Sequence, residues 1–331
     1  MIGDKEDDKG LLGPHRTVRP SLRGRGAPPR TVNASALSVA ERIRVARGLP
    51  QAIVKITSYA RGTDACGRHW TYISRKGTLA LESETGELLR DREEQRSLLE
   101  AWSVSFDKRT NARDQVNVVV SAPKGTPPEA VHKAAREFGK EAFPNQRYVF
   151  VLHEDKGHPH VHFAVALRGK DKKLDPRLKD LHRWRELWAK AARAQGIEMA
   201  CSPRAARGAG RRRPPSKIYH LQHRGITSER TKGAVKETVA QPADTVWEQY
   251  VKERNQAERM AYRQSAADLR AAAKTASPAA RVKLDAAAAD LERFVASLPI
   301  AKTRRQQIRE AITTHHREKS SLKKEPDDLE R

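Results

Sequence analysis

Short apolar runs in the first two thirds of the chain predict β-strands. These runs are rich in β-branched and aromatic residues, and they cover residues 53–56, 118–120, 148–152 and 163–167. The last two flank a loop that contains glycine and proline, so we expect them to pair as an antiparallel hairpin. Apolar residues at helical spacing, bounded by capping residues, predict helices over residues 66–77, 91–106, 127–142 and 181–195.

Composition divides the chain into three predicted parts. Residues 1–50 contain no Phe, Trp or Tyr and too few apolar side chains to offset the entropy of ordering, so they predict a flexible basic arm with a short helix at 36–47. Residues 51–225 hold the predicted strands and form the main domain. Residues 226–331 predict an Ala-rich helical extension with a charged tail, with helices over 246–276, 279–296 and 302–316.

Charge narrows the class of partner. The chain has 65 Lys and Arg against 41 Asp and Glu, a formal charge of +24. Such an excess favours a polyanionic partner, nucleic acid first and an anionic membrane surface second. We expect no membrane insertion and a cytoplasmic location, because the chain lacks a long apolar run and an apolar signal core. Two isolated cysteines, Cys66 and Cys201, fit a reducing compartment.

The predicted hairpin concentrates histidines at its turn. His160 and His162 point to the same face because strand side chains alternate, and antiparallel pairing puts His153 roughly opposite His160, so that the three imidazoles converge. These three imidazoles predict a metal site. His158 breaks the alternation, so we do not expect it to be a ligand. Asp155 in the same loop is suited to accept a hydrogen bond from the second ring nitrogen of a ligating histidine.

Three neutral ligands leave coordination positions open, which is typical of catalytic rather than structural sites. Imidazoles favour Zn²⁺, whereas a phosphate oxygen in the coordination sphere makes Mg²⁺ or Mn²⁺ competent; the sequence leaves the metal open. A polarised phosphodiester also needs a nucleophile, either bound water or a side chain. Tyr72, followed by the cations Arg75 and Lys76, is a candidate, although a tyrosine taken alone is more often a packing residue.

Three motifs resemble those of one known protein family and occur in the same order as in that family. The segment Tyr72-Ile-Ser-Arg-Lys-Gly77 resembles the Tyr-Leu-Ser-Arg-Lys-Gly segment of the MobA/VirD-type relaxases, the MOBP group of DNA-nicking mobilisation proteins. The segment His153-Glu-Asp-Lys-Gly-His-Pro-His-Val-His162 resembles their His-x-Asp-x-x-His-Pro-His-x-His motif. Residues 118–126, which lead into a capped helix, are similar to the middle motif, but Asn117 stands where relatives often have His. The resemblance runs from about residue 51 to about residue 224.

The resemblance implies a fold and a set of roles. The fold would be α+β, a palm-like antiparallel sheet covered by helices on one face. Tyr72 would be the nucleophile, and His153, His160 and His162 would hold a divalent ion, with Mg²⁺ or Mn²⁺ favoured and Zn²⁺ as the alternative. Contacts to DNA would come from Ser121 of the middle motif and from basic residues, which we expect to include Arg75, Lys76, Arg211, Arg212 and Arg213.

The implied activity is site- and strand-specific nicking of single-stranded DNA at a transfer origin, through a 5′-phosphotyrosyl intermediate. Implied partners are an accessory DNA-binding protein and the coupling ATPase of a type IV secretion system, in conjugative transfer of a plasmid or integrative element. The protein would then leave the cytoplasm covalently attached to its DNA. The C-terminal helices would dock a partner or act as a spacer.

Two alternatives remain at the level of sequence. A replication initiator or transposase of the histidine-hydrophobe-histidine (HUH) nuclease superfamily would share the tyrosine chemistry, but such proteins usually carry the tyrosine downstream of the histidines. A non-catalytic basic nucleic-acid-binding protein would use the histidines only to stabilise its fold. Formation of a covalent DNA adduct separates both nickase classes from the binding protein.

Overall fold

The structure, a computed structural model, describes residues 33–107, 109, 111–155, 157–171, 173–208, 224, 229–241, 243–298 and 302–322. The chain divides into two compact units. One is built from residues within Ser35–Ala209 and Arg259–Pro299, and the other from residues within Gly210–Glu258 and Ile300–Arg331. The first unit contains the sheet and all the described candidate site residues. Arg211, Arg212 and Arg213 lie outside the described residues.

A six-stranded antiparallel sheet organises the first unit. Its strands lie in the order β1-β4-β6-β5-β2-β3. They are β1 Ile53–Ala60, β2 Leu81–Ser83, β3 Leu88–Leu89, β4 Gln115–Ser121, β5 Tyr148–His153 and β6 His160–Ala166. The described helices are α1 Val39–Ala46, α2 Gly62–Ile73, α3 Arg92–Ser103, α4 Pro128–Ala142, α5 Leu178–Ala194, α6 Glu229–Ala240, α7 Val246–Thr275, α8 Pro278–Ser297 and α9 Arg304–Leu322. The predicted α+β class is confirmed.

One face of the sheet carries the main core. Phe150 of β5 and Phe163 of β6 stack with ring centroids 5.2 Å apart. Phe138 of α4 and Trp188 of α5 pack onto this aromatic layer, and all four side chains are almost fully buried. Burial of so many aromatic side chains is a large stabilising term.

Helices also cover part of the other face, so the prediction of helices on a single face was incomplete. Trp70 of α2 and Trp102 of α3 pack in one buried cluster, which also contains the small sheet residues Val149, Val151, Ala164 and Ala166. The physical reason is that these sheet residues are apolar too. They would be exposed to water if no helix covered them.

A smaller core holds α1 in the first unit. Val45 of α1 is buried together with Tyr262 of α7 and Leu291 of α8. Arg47, which follows α1, forms an ion pair with Asp290 at 2.8 Å. Residues 39–46, assigned from composition to a flexible arm, therefore form a packed helix, at the place where the short helix was predicted. Residues 1–32 of that arm lie outside the described residues.

The second unit joins its helices through a nearly buried arginine. The Arg305 guanidinium of α9 pairs with Glu237 of α6 at 2.5 Å and with Glu248 of α7 at 3.2 Å. Across the described residues, no helix has a segment both long and apolar enough to cross a lipid bilayer.

Candidate active site

The β5–β6 hairpin brings three histidines together, as its alternation predicts. His153 is directly opposite His160 in the antiparallel register, and His162 lies two residues farther along β6 on the same face. Ring centroids are 5.3 Å apart for His153 and His160, 4.5 Å for His153 and His162, and 5.1 Å for His160 and His162. One ring nitrogen from each histidine lies within 4.8 Å of the others. Three such nitrogens can converge on a single cation.

Backbone carbonyls orient two of the rings. His153 Nε2 is 2.6 Å from the carbonyl oxygen of Ile73, the last residue of α2. His160 Nδ1 is 3.4 Å from the carbonyl oxygen of His158. A proton on each of these nitrogens would make Nδ1 of His153 and Nε2 of His160 the cation-binding atoms, which is the usual arrangement around a histidine ligand. In the structure His153 Nδ1 lies 3.4 Å from Arg75 Nη2, so the guanidinium would move aside when a cation binds there. The role expected for Asp155 is thus filled at His153 by a main-chain carbonyl.

Tyr72 stands at the rim of this cluster. Its ring centroid is 6.4 Å from that of His162, nearly perpendicular to it at 83°. The side chain is 52% exposed, so a polymeric substrate can reach the hydroxyl. The structure thus brings the candidate nucleophile and the three histidines, 81 or more residues apart in sequence, into one site.

The segment after Tyr72 turns sharply instead of continuing the helix. The sequence predicted a helix ending at Gly77, but α2 ends at Ile73 because Arg75 and Lys76 have φ angles of 53° and 61°. Left-handed backbone at a residue with a side chain costs about 1–3 kcal/mol and clusters at functional sites. This turn presents the Ile73 carbonyl to His153 and lets the Arg75 side chain reach the same imidazole.

Arg75 links the turn to the histidine loop. Its guanidinium forms a short ion pair with Asp155, and its Nη2 is 3.4 Å from His153 Nδ1. The Arg75 guanidinium carbon also lies 5.7 Å from the Tyr72 ring centroid. Desolvation raises the pKa of Asp155, but the charges of Arg75, His153 and His160 and a backbone hydrogen bond together outweigh it and hold the pKa below its usual value. Arg75 therefore carries a cation into the space between Tyr72 and His153.

Ser121 and Lys76 are the remaining predicted DNA contacts that the structure describes. Ser121 of β4 lies opposite His160 in the sheet, so it belongs to the face that carries the histidines. Lys76 is exposed on the turn beyond Tyr72. Lys55 was not predicted from the sequence as a candidate DNA contact, but it is exposed and lies on the same face through the register Lys55–Val119–His162. The signal was present, since Val54 and Ile56 are apolar while Lys55 alternates with them.

Asn117, the departure from the family pattern, is built into a buried polar chain. Trp70 Nε1 donates to Gln115 Oε1 at 2.9 Å, Gln115 Nε2 donates to Asn117 Oδ1 at 2.7 Å, and Asn117 Nδ2 donates to Ser58 Oγ at 2.8 Å. Both the oxygen and the nitrogen of the Asn117 side-chain amide are therefore hydrogen-bonded. It ties α2 to the sheet rather than serving as an acid or base.

The donor set fits a divalent ion. Three imidazole nitrogens on one face match the ligand number of open catalytic sites, and His162 is half-buried while the other two imidazoles are buried. These ligands are compatible with Zn²⁺, and with Mg²⁺ or Mn²⁺ when a phosphate contributes oxygen.

Comparison with known proteins supports the same class. Residues 72–197 match the family described as relaxase, MobA/VirD2-like, nuclease domain. That segment begins at Tyr72 and contains the whole histidine hairpin. The resemblance inferred from the three motifs is confirmed for residues 72–197, which match the model of a MobA/VirD2-like relaxase nuclease domain.

Two individual proteins illustrate the likeness. The T-DNA border endonuclease VirD2 of Rhizobium radiobacter is 27% identical over 178 residues, covering 47% of this chain and 41% of the relative. The chain thus spans less than half the length of that curated relative. A structure solved under the heading "Molecular Basis of Vancomycin Resistance Transfer in Staphylococcus aureus" is 13% identical, with a TM-score of 0.34, and covers 46% of this chain and 97% of its own. A likeness at that level carries no weight for the site.

Proposed function

We propose that this protein is a relaxase that nicks single-stranded DNA at a transfer origin by tyrosine transesterification. The observation that carries the proposal is the position of Tyr72, exposed and 6.4 Å, ring to ring, from a histidine of a three-imidazole cluster. The matched nuclease domain and the formal charge of +24 point to the same substrate, because a polyanionic strand is attracted to a basic protein.

The proposed reaction exchanges one phosphoester for another. The Tyr72 hydroxyl oxygen forms a bond to phosphorus, the bond from phosphorus to the 3′ oxygen breaks, and the phenolic proton ends on the departing 3′-hydroxyl. The 5′ end of the strand remains on the protein as a phosphotyrosine. Because an ester replaces an ester, the step is close to thermoneutral, and the same site can rejoin the strand.

Charged groups around Tyr72 would hold the phosphate in place. The Arg75 guanidinium can exchange its ion pair with Asp155 for one with a phosphate oxygen, since such pairs have similar geometry. Lys76, Ser121 and Lys55 lie where the flanking strand would run. Preorganised cations of this kind stabilise charge that develops on the non-bridging oxygens.

His153, His160 and His162 would hold the metal, which we propose to be Mg²⁺ or Mn²⁺, with Zn²⁺ as the alternative. When bound, such an ion supplies Lewis-acid charge at the scissile phosphate. The backbone carbonyls of Ile73 and His158 would keep the rings of His153 and His160 aimed at it.

In the cell we propose a role in conjugative transfer or mobilisation of a plasmid or integrative element. An accessory DNA-binding protein would expose the single strand, and a coupling ATPase would engage the protein–DNA adduct for type IV secretion. The reaction would take place in the cytoplasm before export. The helices of the second unit would dock a partner or act as a spacer. The basic residues Arg211, Arg212 and Arg213 would contact the DNA backbone.

Covalent adduct formation tests this function. The protein is incubated with Mn²⁺ and single-stranded oligonucleotides tiled across the DNA that flanks its gene, and adducts are resolved by denaturing electrophoresis. We expect an adduct with the wild type, none with Tyr72→Phe, and a normal yield with Tyr59→Phe, a matched control on β1 whose ring packs under Arg113 at 4.3 Å. Binding without an adduct would favour the non-catalytic alternative. An adduct with Tyr72→Phe would move the nucleophile elsewhere.

A further inference from the structure

The turn after Tyr72 holds three successive residues in the left-handed region. The φ angles of Arg75, Lys76 and Gly77 are 53°, 61° and 91°. Two of these residues carry side chains that disfavour this backbone, so the conformation persists only where surrounding contacts impose it. Main-chain bonds supply part of the restraint, since Lys76 N–H donates to the Thr71 carbonyl at 2.8 Å.

The buried hydroxyl of Ser74 supplies a second restraint. Ser74 is fully buried, and its Oγ accepts a hydrogen bond from the Gly77 N–H at 3.1 Å. The same Oγ lies 3.4 Å from the Thr71 carbonyl oxygen and 3.2 Å from the side-chain amide of Gln95 on α3. One hydroxyl therefore joins both ends of the turn to a neighbouring helix.

The donors and acceptors available around Ser74 favour one direction for its hydrogen bond with Gln95. A hydroxyl has one proton, and the Thr71 carbonyl can only accept it, so the contact is best satisfied when the Gln95 amide donates. Gln95 is 4% exposed; in the structure its Oε1 accepts from the Ser74 hydroxyl at 3.2 Å, and its Nε2 is buried without a hydrogen-bond partner. Rotating the amide removes that orphan donor, and amide orientation is assigned from such networks. Gln95 thus points its donor at Ser74.

The turn held in this way carries the chemistry of the site. Its first carbonyl, from Ile73, is 2.6 Å from His153 Nε2, and Arg75 within it contacts both Asp155 and His153. A shift of the turn would therefore move a histidine ring, a cation and the end of the helix that bears Tyr72 together.

We propose that Gln95 is a positioning residue for the nicking reaction. Through Ser74 it fixes the left-handed turn, and the turn fixes the imidazole of His153 and the guanidinium of Arg75. The inference rests on the proposed function for its catalytic meaning, but its effect on the metal site can be measured without DNA. Gln95 itself touches neither the substrate nor the metal.

Gln95→Met, which keeps the length and removes the amide, tests the link together with Ser74→Ala. Mn²⁺ affinity of the DNA-free protein is measured by electron paramagnetic resonance, and unfolding is followed in parallel. We expect each variant to weaken Mn²⁺ binding about 10-fold, the lower end of what loss of an outer hydrogen-bond partner costs. Because both changes cut the same link, the double variant should be no weaker than either single one.

The matched control is Leu99→Ala, one turn farther along α3 and likewise buried at 4% exposure. It should lower the unfolding midpoint and leave Mn²⁺ affinity of the folded protein unchanged. Wild-type affinity in Gln95→Met, or equal weakening in Leu99→Ala, would overturn the positioning role. If Gln95→Met fails to fold, Ser74→Ala decides by the same measure.

Adduct formation then separates the two proposals. If the wild type forms the adduct and Gln95→Met keeps wild-type Mn²⁺ affinity and adduct yield, the positioning role is wrong and the nicking function is supported. A wild type without an adduct sinks the nicking function, while weaker Mn²⁺ binding in Gln95→Met still supports the link between the turn and the histidines.

Discussion

The two ends of one sheet face differ sharply although they share the same strands. At one end β5 and β6 present small apolar residues, with Val149 directly opposite Ala164. At the other end the same strands present imidazoles, with His153 directly opposite His160. The register runs through without a break, since Val151 pairs with His162. Only the side chains change, so the scaffold is continuous and the chemistry is local.

What covers each end explains the difference. Over the apolar end, Trp70 and Trp102 meet edge to face with ring centroids 4.9 Å apart, and they exclude water. Helix α2 ends at Ile73, and the histidine end begins where that helix stops. The same helix therefore seals one end and delivers a tyrosine and a carbonyl to the rim of the other. A catalytic group placed on a rigid element in this way is held more precisely than one on a free loop.

The largest expected effect comes from removing one imidazole of the three-histidine cluster. His160→Ala removes one of the three proposed ligand nitrogens, so we expect Mn²⁺ affinity to fall by more than about 100-fold, beyond what outer partners cost. Adduct formation should be lost at micromolar Mn²⁺, and the unfolding midpoint without metal should hardly change. Isothermal titration with Mn²⁺ and denaturing electrophoresis measure both effects.

The neighbouring residue on the same strand provides the control. Val161→Ala lies on the opposite face and is fully buried, so it should cost roughly 2 kcal/mol of stability and leave Mn²⁺ affinity intact. Normal metal-dependent nicking by His160→Ala would contradict the three-histidine site.

Sequence periodicity could predict the histidine end because strand geometry converts alternation into a shared face. His153, His160 and His162 follow from a period of two and a glycine-containing loop, and no tertiary information is required. The carbonyl of Ile73 could not be predicted in this way. It belongs to a main-chain group, and its position depends on a turn in which Arg75 and Lys76 adopt left-handed backbone that their residue types disfavour.

Helix ends and small cores were less predictable for related reasons. Helix α2 begins at Gly62, before the predicted start, and α4 begins at Pro128, one residue after the predicted start. Helix α1 packs against residues more than 200 positions later, such as Leu291, and composition within residues 1–50 carries no sign of that partner. Long-range packing decides these features, and local propensity is a weak guide to them.

A smaller effect concerns the dependence of stability on pH, which should involve His69 of α2. His69 of α2 lies beside Tyr72, with ring centroids 6.4 Å apart, and its Nε2 is buried without a hydrogen-bond partner. Burial lowers the pKa of His69 to about 4. The unfolded chain therefore binds more protons between about pH 4 and pH 6.5, and stability rises with pH across that window.

We expect His69 to account for about 2 kcal/mol of this rise, a discounted value given that each pKa unit is worth about 1.4 kcal/mol. Urea unfolding of the wild type and of His69→Gln at pH 4.5 and pH 6.5 measures the difference. The variant should show a flatter dependence on pH. Parallel curves for the two proteins would mean that the imidazole is solvated in the folded state.

The smallest effect tests how far the active end extends across the sheet. Lys55 is exposed on β1, two strands from His162, at a cross-strand distance of about 10 Å. If a single strand of DNA lies over this face, Lys55→Gln should weaken its binding a fewfold at 0.1 M salt. The slope of log affinity against log salt should fall by about 0.7, the value for one phosphate contact on single-stranded DNA.

Lys140→Gln removes the same charge from α4, which packs on the opposite face, and should leave that slope unchanged. Fluorescence anisotropy with a labelled oligonucleotide over a series of salt concentrations compares the two variants. An equal fall in the slope for both variants would mean that DNA affinity depends on net charge alone. A loss confined to Lys55→Gln would extend the functional surface from the histidines to the edge strand, because only a local contact distinguishes two lysines of equal charge.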